Sequence, residues 1–472
     1  MKNILNTPDT SRVYCSAVFS GSLGGLDPTP ESFPDVSGLR SHSPRRSGQG
    51  DQFKSRLEPT LLRYFIQELS SWLDVCDPDR HFARTVPQRA RSCPSLLHAI
   101  LTASARHITS LPKYRNIGGG FSWNGTVIQD LNEDTALHYQ NHCINEFLSL
   151  SGDLEQIHNE DLLAAAIVLR FYEEIDSPLG NNDDQGVLLR ILNIFVNAQL
   201  PFAGEFPRSL LEIYHSEASF ETNLAHSHFD SKHHNYTPAA GLRRACFWVA
   251  FRQELYKSFM NQRPFTLPLS RWSSLRSLSP AGDGTWADRL VLCADVLEYC
   301  FGSNETNLLP CTDKDRWKKL TRYAEVSSYH LPPGFESIYS QDADPEAENP
   351  FPEIWFADDC HATATAHLEL AKTLLVVFDP SRPKLGHGHV AAMNELARTV
   401  RGTVMRVCGI ALHNPRSPSV FVDATMAVSA CGEYVTDDRE RKAILEVLRV
   451  TEVDYAWPTR AILSNLETAW AD

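Results

Sequence analysis

The sequence predicts an all-α protein: one extended multi-helix domain over residues 57–472, after a disordered N-terminal tail over residues 1–56. Three observations carry this. Apolar residues recur at three- and four-residue spacing from Leu57 onward, the period of one helix face. No alternating apolar–polar run of useful length appears, so no substantial strand is expected. Prolines fall at the edges of the periodic stretches, where helices begin and stop.

Residues 1–56 are rich in Ser, Gly, Pro and Asp and have no period. Such a segment cannot bury enough apolar surface to offset the entropy of ordering it. From Leu57 the pattern turns helical, with Leu61, Leu62, Phe65, Ile66, Leu69, Trp72 and Leu73 in register. Asp74–Arg91 reads as a loop with short helical pieces. Ser95–Leu111 is the next helix, and Pro94 suits its first turn. Gly118–Gly120 mark a loop. Asp134–Leu150 and Asp161–Ile175 follow. The second contains LLAAAIVL, apolar on all sides, which marks a central, buried helix. Gly186–Gln199 is a further helix, closed by Pro201.

The stretch 241–269, after a His-rich loop, organises the chain. Leu242, Ala245, Trp248, Val249, Leu255, Tyr256, Phe259 and Met260 share one side of a helix that cannot continue through Pro264. Arg243, Arg244, Gln253, Glu254, Lys257 and Asn261 fall mostly on the other side. Arg252 lands in the middle of the apolar side. A guanidinium there needs carbonyls or a carboxylate, because an unpaired buried charge is costly. Glu173, Glu174 and Asp176, at the end of the other enclosed helix, are the expected partners. The competing reading is that Arg252 faces a ligand cavity. Helices are then expected over Trp286–Phe301, Lys314–Tyr329, Ile354–Phe378, His389–Leu412, Ser419–Cys431, Asp438–Val450 and Thr459–Trp470.

The net charge of −14 argues against nucleic-acid binding through the overall field. The 11 cysteines include no Cys-x-x-Cys pair and sit mostly in apolar helical stretches, as reduced intracellular thiols do. No apolar run approaches the ~18 residues of a membrane span, so no membrane partner is expected.

Arg243-Arg244, Trp248, Arg252 and Gln262-Arg263-Pro264-Phe265 resemble the middle homology region of fungal zinc-cluster transcription factors. Residues 61–107, 162–179, 351–375 and the terminal EVDYAWPT (452–459) are similar to the regulatory domain of the ARCA-like subfamily, in the same order. The resemblance implies an all-α regulatory domain of a nuclear transcription regulator, working with protein partners of the transcription machinery or with a small-molecule effector. The family's DNA-binding module holds two zincs with six cysteines. Here only Cys15 precedes Cys76. The expectation is therefore no cofactor and no direct DNA binding by this chain, with zinc entering only if a missing upstream exon encodes the cluster.

Catalysis finds no foothold. A diphosphate-binding DDxxD cluster would need a third acid where Asp358-Asp359-Cys360-His361 is followed by Ala362. A companion triad at Asn182-Asp183-Asp184 has Arg190 where an acid is required. The histidines at 226, 228, 233 and 234 lack nearby cysteines and fit adventitious metal binding better than a site. No nucleophile–base–orienter arrangement appears.

Overall fold

The computed structural model describes residues 55–150, 158–176, 238–267, 285–302, 313–329, 331, 334–344 and 349–471. The expected disordered tail (all but its last two residues), the helix Gly186–Gln199 and the His-rich loop lie outside them. The described residues form an all-α protein with two very short antiparallel hairpins.

The N-terminal block begins with α1 (Leu57–Tyr64), which passes through a π-helical turn (Phe65–Leu69) into α2 (Ser70–Leu73). There follow α3 (His81–Arg89), α4 (Pro94–Ser110), α5 (Thr135–Leu150) and α6 (Glu160–Asp176). Pro94 opens α4, where its missing N–H costs nothing. α4 packs on α1, α5 and α6. The expected central helix is indeed enclosed: Leu163 through Leu169 are almost fully buried.

Next comes α7 (Pro238–Met260), the stretch around which the sequence was expected to be organised. It packs on α3 and α6 and on α8 (Thr285–Phe301) and α12 (Pro418–Cys431). The C-terminal block contains α8, α9 (Asp313–Tyr329), α10 (Asp359–Val377), α11 (His389–His413), α12, α13 (Asp438–Tyr455) and α14 (Arg460–Ala471). α8 lies along α10, and α11 along α12. α7 thus joins the two blocks through one continuous apolar core.

Three local features differ from expectation, each for a local reason. The loop over Asp74–Arg91 contains the regular helix α3. Its free N-terminal amides are taken by side chains: Asp74 accepts from Phe82 N and Ala83 N (both 2.8 Å), and Asp77 from His81 N (2.7 Å). β1 (Phe121–Trp123) pairs with β2 (Thr126–Ile128) across Asn124-Gly125, both at positive φ. Asn-Gly is the sequence signature of that hairpin turn. The expected helix Ile354–Phe378 starts only at Asp359. Before it, β4 (Glu353–Trp355) pairs with β3 (Tyr339–Gln341). The Asn414 amide fixes that segment, donating to Ile354 O and accepting from Phe356 N (both 2.9 Å).

Pro352 lies so close to α11 that a Cβ on Gly409 would sit 2.3 Å from its carbonyl oxygen. Gly402, in the same helix, has nothing within 4 Å of that position. Gly402→Ala should therefore stabilise by up to about 1 kcal/mol, the usual helix-interior gain. Gly409→Ala should destabilise despite the same propensity gain, since backbone must shift to admit it. Urea denaturation of the two variants checks this, and a stabilised Gly409→Ala protein would contradict the packing described.

Candidate ligand cavity

Arg252 lies on α7 facing the end of α2. Its Nη2 donates to Trp72 O (2.8 Å) and, more weakly, to Leu73 O (3.5 Å). These carbonyls lie where α2 gives way to a 3-10 turn (Asp74–Cys76), near the C-terminal end of the helical run, where a cation is favoured. The expected direct ion pair with Glu173, Glu174 or Asp176 is not formed. Those acids meet other arginines. Arg170 approaches Glu173 (3.4 Å) and Glu174 (3.6 Å) on its own helix, and Asp176 meets Arg106. At three- and four-residue spacing, Arg170 is pre-positioned for that role.

Arg252 and Glu174 do share a cavity of about 60 Å³. Asp423 of α12, His367 of α10 and Gln253 of α7 also line it, and Trp72, Phe171, Tyr256 and Trp457 supply aromatic walls. Trp72 stacks on Trp457 (5.8 Å between ring centroids, 18° between planes), and Tyr256 meets Trp457 edge-on at 5.2 Å. Trp457 reaches this position because α13 ends with Ala456 in the left-handed region, φ 58°. The chain then turns back, with Trp457 N donating to Thr451 O (3.2 Å) and Thr459 Oγ1 to Leu448 O (2.8 Å).

The polar groups of this cavity are poorly satisfied. Arg252 Nε, Gln253 Oε1, Glu174 Oε1 and Asp423 Oδ2 are buried without a hydrogen-bond partner. Burial pushes the Asp423 carboxyl well above the usual range, against the pull of Arg252. Burial likewise raises Glu174 to about 7, with Arg170 the main opposing influence. His367 is lowered to about 4 by burial and is neutral at physiological pH. Its Nδ1 donates to Thr363 O (2.9 Å) and lies 3.5 Å from Asp423 Oδ1. The site holds donors and acceptors side by side, which is the chemistry of recognition.

The other motif residues are structural. Arg243 reaches Glu160 at the N-terminus of α6 (3.3 Å), a carboxylate it shares with Arg89 (3.2 Å). Arg244 approaches Asp79 (3.6 Å), and Trp248 packs edge-on against Trp286 (4.7 Å). Arg263 binds Glu254 through both terminal nitrogens (2.7 and 3.2 Å) and donates to Pro264 O (3.1 Å), locking the chain as it leaves α7. Glu254 and Gln253, expected on the polar side, are buried, so α7 is enclosed more fully than its period implied.

The alternatives set aside in the sequence have plain structural roles where they are described. Asp358 precedes α10 as its N-cap residue, and His361 packs on Phe335 (4.2 Å). Asp77, Asp79 and His81 bring ligand-type atoms together, but Asp77 Oδ2 is already engaged by His81 N and Nδ1 (both 2.7 Å). The triad at 182–184 and the four histidines lie outside the described residues. Asp423 and His367 were missed. Asp423 had a signal, being the sole charged residue of PSVFVDATMAVSAC.

Residues 60–236 match the family model described as the fungal specific transcription factor domain. No curated protein and no solved structure matches the chain. The match ends just before α7. Among the described residues, no helix is long and apolar enough to cross a membrane.

Two arginines should behave differently on removal. Arg263→Ala strands the buried Glu254 carboxylate and should cost about 3–5 kcal/mol. Arg252→Ala loses hydrogen bonds to carbonyls only and should cost about 1–3 kcal/mol. Burial alone would raise Glu254, but the hydrogen bonds and charge of Arg263, with Thr266, hold it below the usual carboxylate range. Its contribution is thus present above the unfolded value of about 4.3 and lost as pH falls through the lower folded one. Urea midpoints measured from neutral pH downward should show the wild-type advantage over Arg263→Ala shrinking in acid. Equal losses for the two variants at neutral pH would contradict this assignment.

Proposed function

We propose, starting from a chain whose residues 60–236 are a fungal-specific transcription factor domain and hence from a fungal transcription regulator, that its helices form a signal-receiving module and not a DNA-reading one. The matched family is a transcription-factor domain and not an enzyme class. The observation that carries the reading is the cavity. It draws a wall from α2, α6, α7, α10, α12 and the turn after α13, so a change in its contents reaches both helical blocks. A packed core transmits such a change because it has little room to absorb it.

In this reading a small molecule in the cavity biases the arrangement of the blocks, and partners in the transcription machinery sense the outcome. The acidic chain, at net charge −14, does not itself engage duplex DNA, because phosphate neutralisation needs clustered Lys and Arg. The chain holds no zinc of its own, and its place of work is the nucleus.

Fused to an unrelated DNA-binding domain, the full chain should change transcription of a reporter bearing that domain's site. No change relative to the DNA-binding domain alone would overturn the proposal. The purified chain should leave no competition-resistant footprint on duplex DNA at moderate salt, and such a footprint obtained without a partner would overturn the division of labour.

A further inference from the structure

We infer that the cavity takes a small zwitterion of the α-amino-acid class, its carboxylate on Arg252 and its ammonium on Asp423. This rests on reading the cavity as the receiving site of the regulator. Several polar atoms at the cavity are left without hydrogen bonds. Arg252 Nε, a donor, and Asp423 Oδ2 and Gln253 Oε1, acceptors in their ionised or amide forms, make no hydrogen bond, and Glu174 Oε1 has only the 3.6 Å ion pair with Arg170. Asp423 is 3% exposed, Glu174 6% and Gln253 7%. A buried polar atom without a partner is rare in a native protein, and several around one cavity call for an occupant.

The mixture of donors and acceptors narrows that occupant. A guanidinium only donates, and it suits a carboxylate. Asp423 and Gln253 Oε1 suit an N–H donor. An anion alone would satisfy Arg252 and leave the α12 carboxyl unmet. A cation alone would satisfy Asp423 and stand against Arg252. A molecule carrying both charges on neighbouring atoms meets both needs. It also adds no net charge to a buried site, which removes the main electrostatic obstacle to entry. Burial pushes the Asp423 carboxyl up, and an ammonium beside it would act in the opposite direction, as Arg252 does.

The remaining walls set the side chain. Trp72, Phe171, Tyr256 and Trp457 offer apolar faces, with no further charge beyond Glu174, which is already drawn to Arg170. The cavity volume of about 60 Å³ has room for a handful of waters. Displacing them admits an amino acid of about the size of valine. The inferred class is therefore a small apolar α-amino acid.

The test uses the full chain and calorimetric titration with L-valine, alongside 3-methylbutanoate, which lacks the amine, and 2-methylpropylamine, which lacks the carboxylate. Valine should bind at least about tenfold more tightly than either half-molecule, a difference of about 1.4 kcal/mol. Asp423→Asn should weaken valine by a similar factor and leave 3-methylbutanoate unchanged. Arg252→Gln should weaken valine and should not weaken the amine, whose cation no longer faces a like charge. Absence of binding by valine and by every other α-amino acid overturns the inference. So does a 3-methylbutanoate affinity equal to that of valine, which marks an anion site, or water-filled cavity thermodynamics indifferent to all three probes. The half-molecule comparison is made on the wild-type chain, so it stands even if a variant fails to fold. If no amino acid binds but the tethered chain still alters reporter transcription, the ligand class falls and the regulator reading survives. If valine binds and the tethered chain is inert, the reverse holds.

Discussion

A guanidinium on a largely buried helix has to be met by something, and Arg252 is met by the carbonyl groups of Trp72 and Leu73. That choice has structural consequences. It ties α7 to the end of the first helical run through main-chain atoms and not through another side chain. It also leaves the neighbouring acids to other partners, so the charge of Arg252 is tempered by dipoles and remains available on its other edge. The Nε edge lacks a hydrogen-bond partner. A carboxylate partner from the protein would have closed the cavity chemically. Carbonyls hold the residue in place and leave it able to bind.

Glu254 shows the contrasting solution a short way along the same helix. There a buried carboxylate is saturated by Arg263, Ser258 and Thr266, and its acidity increases despite burial. This network ends α7 by fastening the Arg-Pro segment back onto the helix. At one end of α7 the buried carboxylate is thus fully satisfied, whereas its middle faces unmet polar atoms. Both lie within one apolar core, so the difference reflects the partners supplied and not the depth of burial.

Much of this was legible in the sequence, because helix periodicity is a local property. The enclosed helix at LLAAAIVL, the proline at the start of α4 and the misplaced charge of Arg252 all follow from spacing alone. The hairpin at Asn124-Gly125 was legible too, and was masked only by its three-residue strands. What could not be read was pairing. Arg252 and Trp72 are far apart in the chain, and nothing local says that a helix ends where the guanidinium arrives. Periodicity also assigned Gln253 and Glu254 to an outer face that tertiary packing covers. His367 carried no signal, since a histidine in ATATAHLELA fits a satisfied core position equally well.

The placement of the cavity follows from the order of the helices. Stretches singled out along the sequence each send a residue to it: Trp72, Glu174, Arg252, His367 and Trp457. Residues that are distant in sequence and meet at one point are positioned by the whole fold, so no single helix can move there without affecting the others. A packed apolar centre would serve stability better at such a point, since unmet polar atoms and a raised carboxyl are both unfavourable. Holding Asp423 there, 3% exposed and without a hydrogen bond on one oxygen, costs the fold stability. An occupant that completes those bonds favours the state that shapes the cavity, by linkage between binding and folding. In the proposed reading, the group that costs the core stability is therefore also the one through which an occupant acts on it.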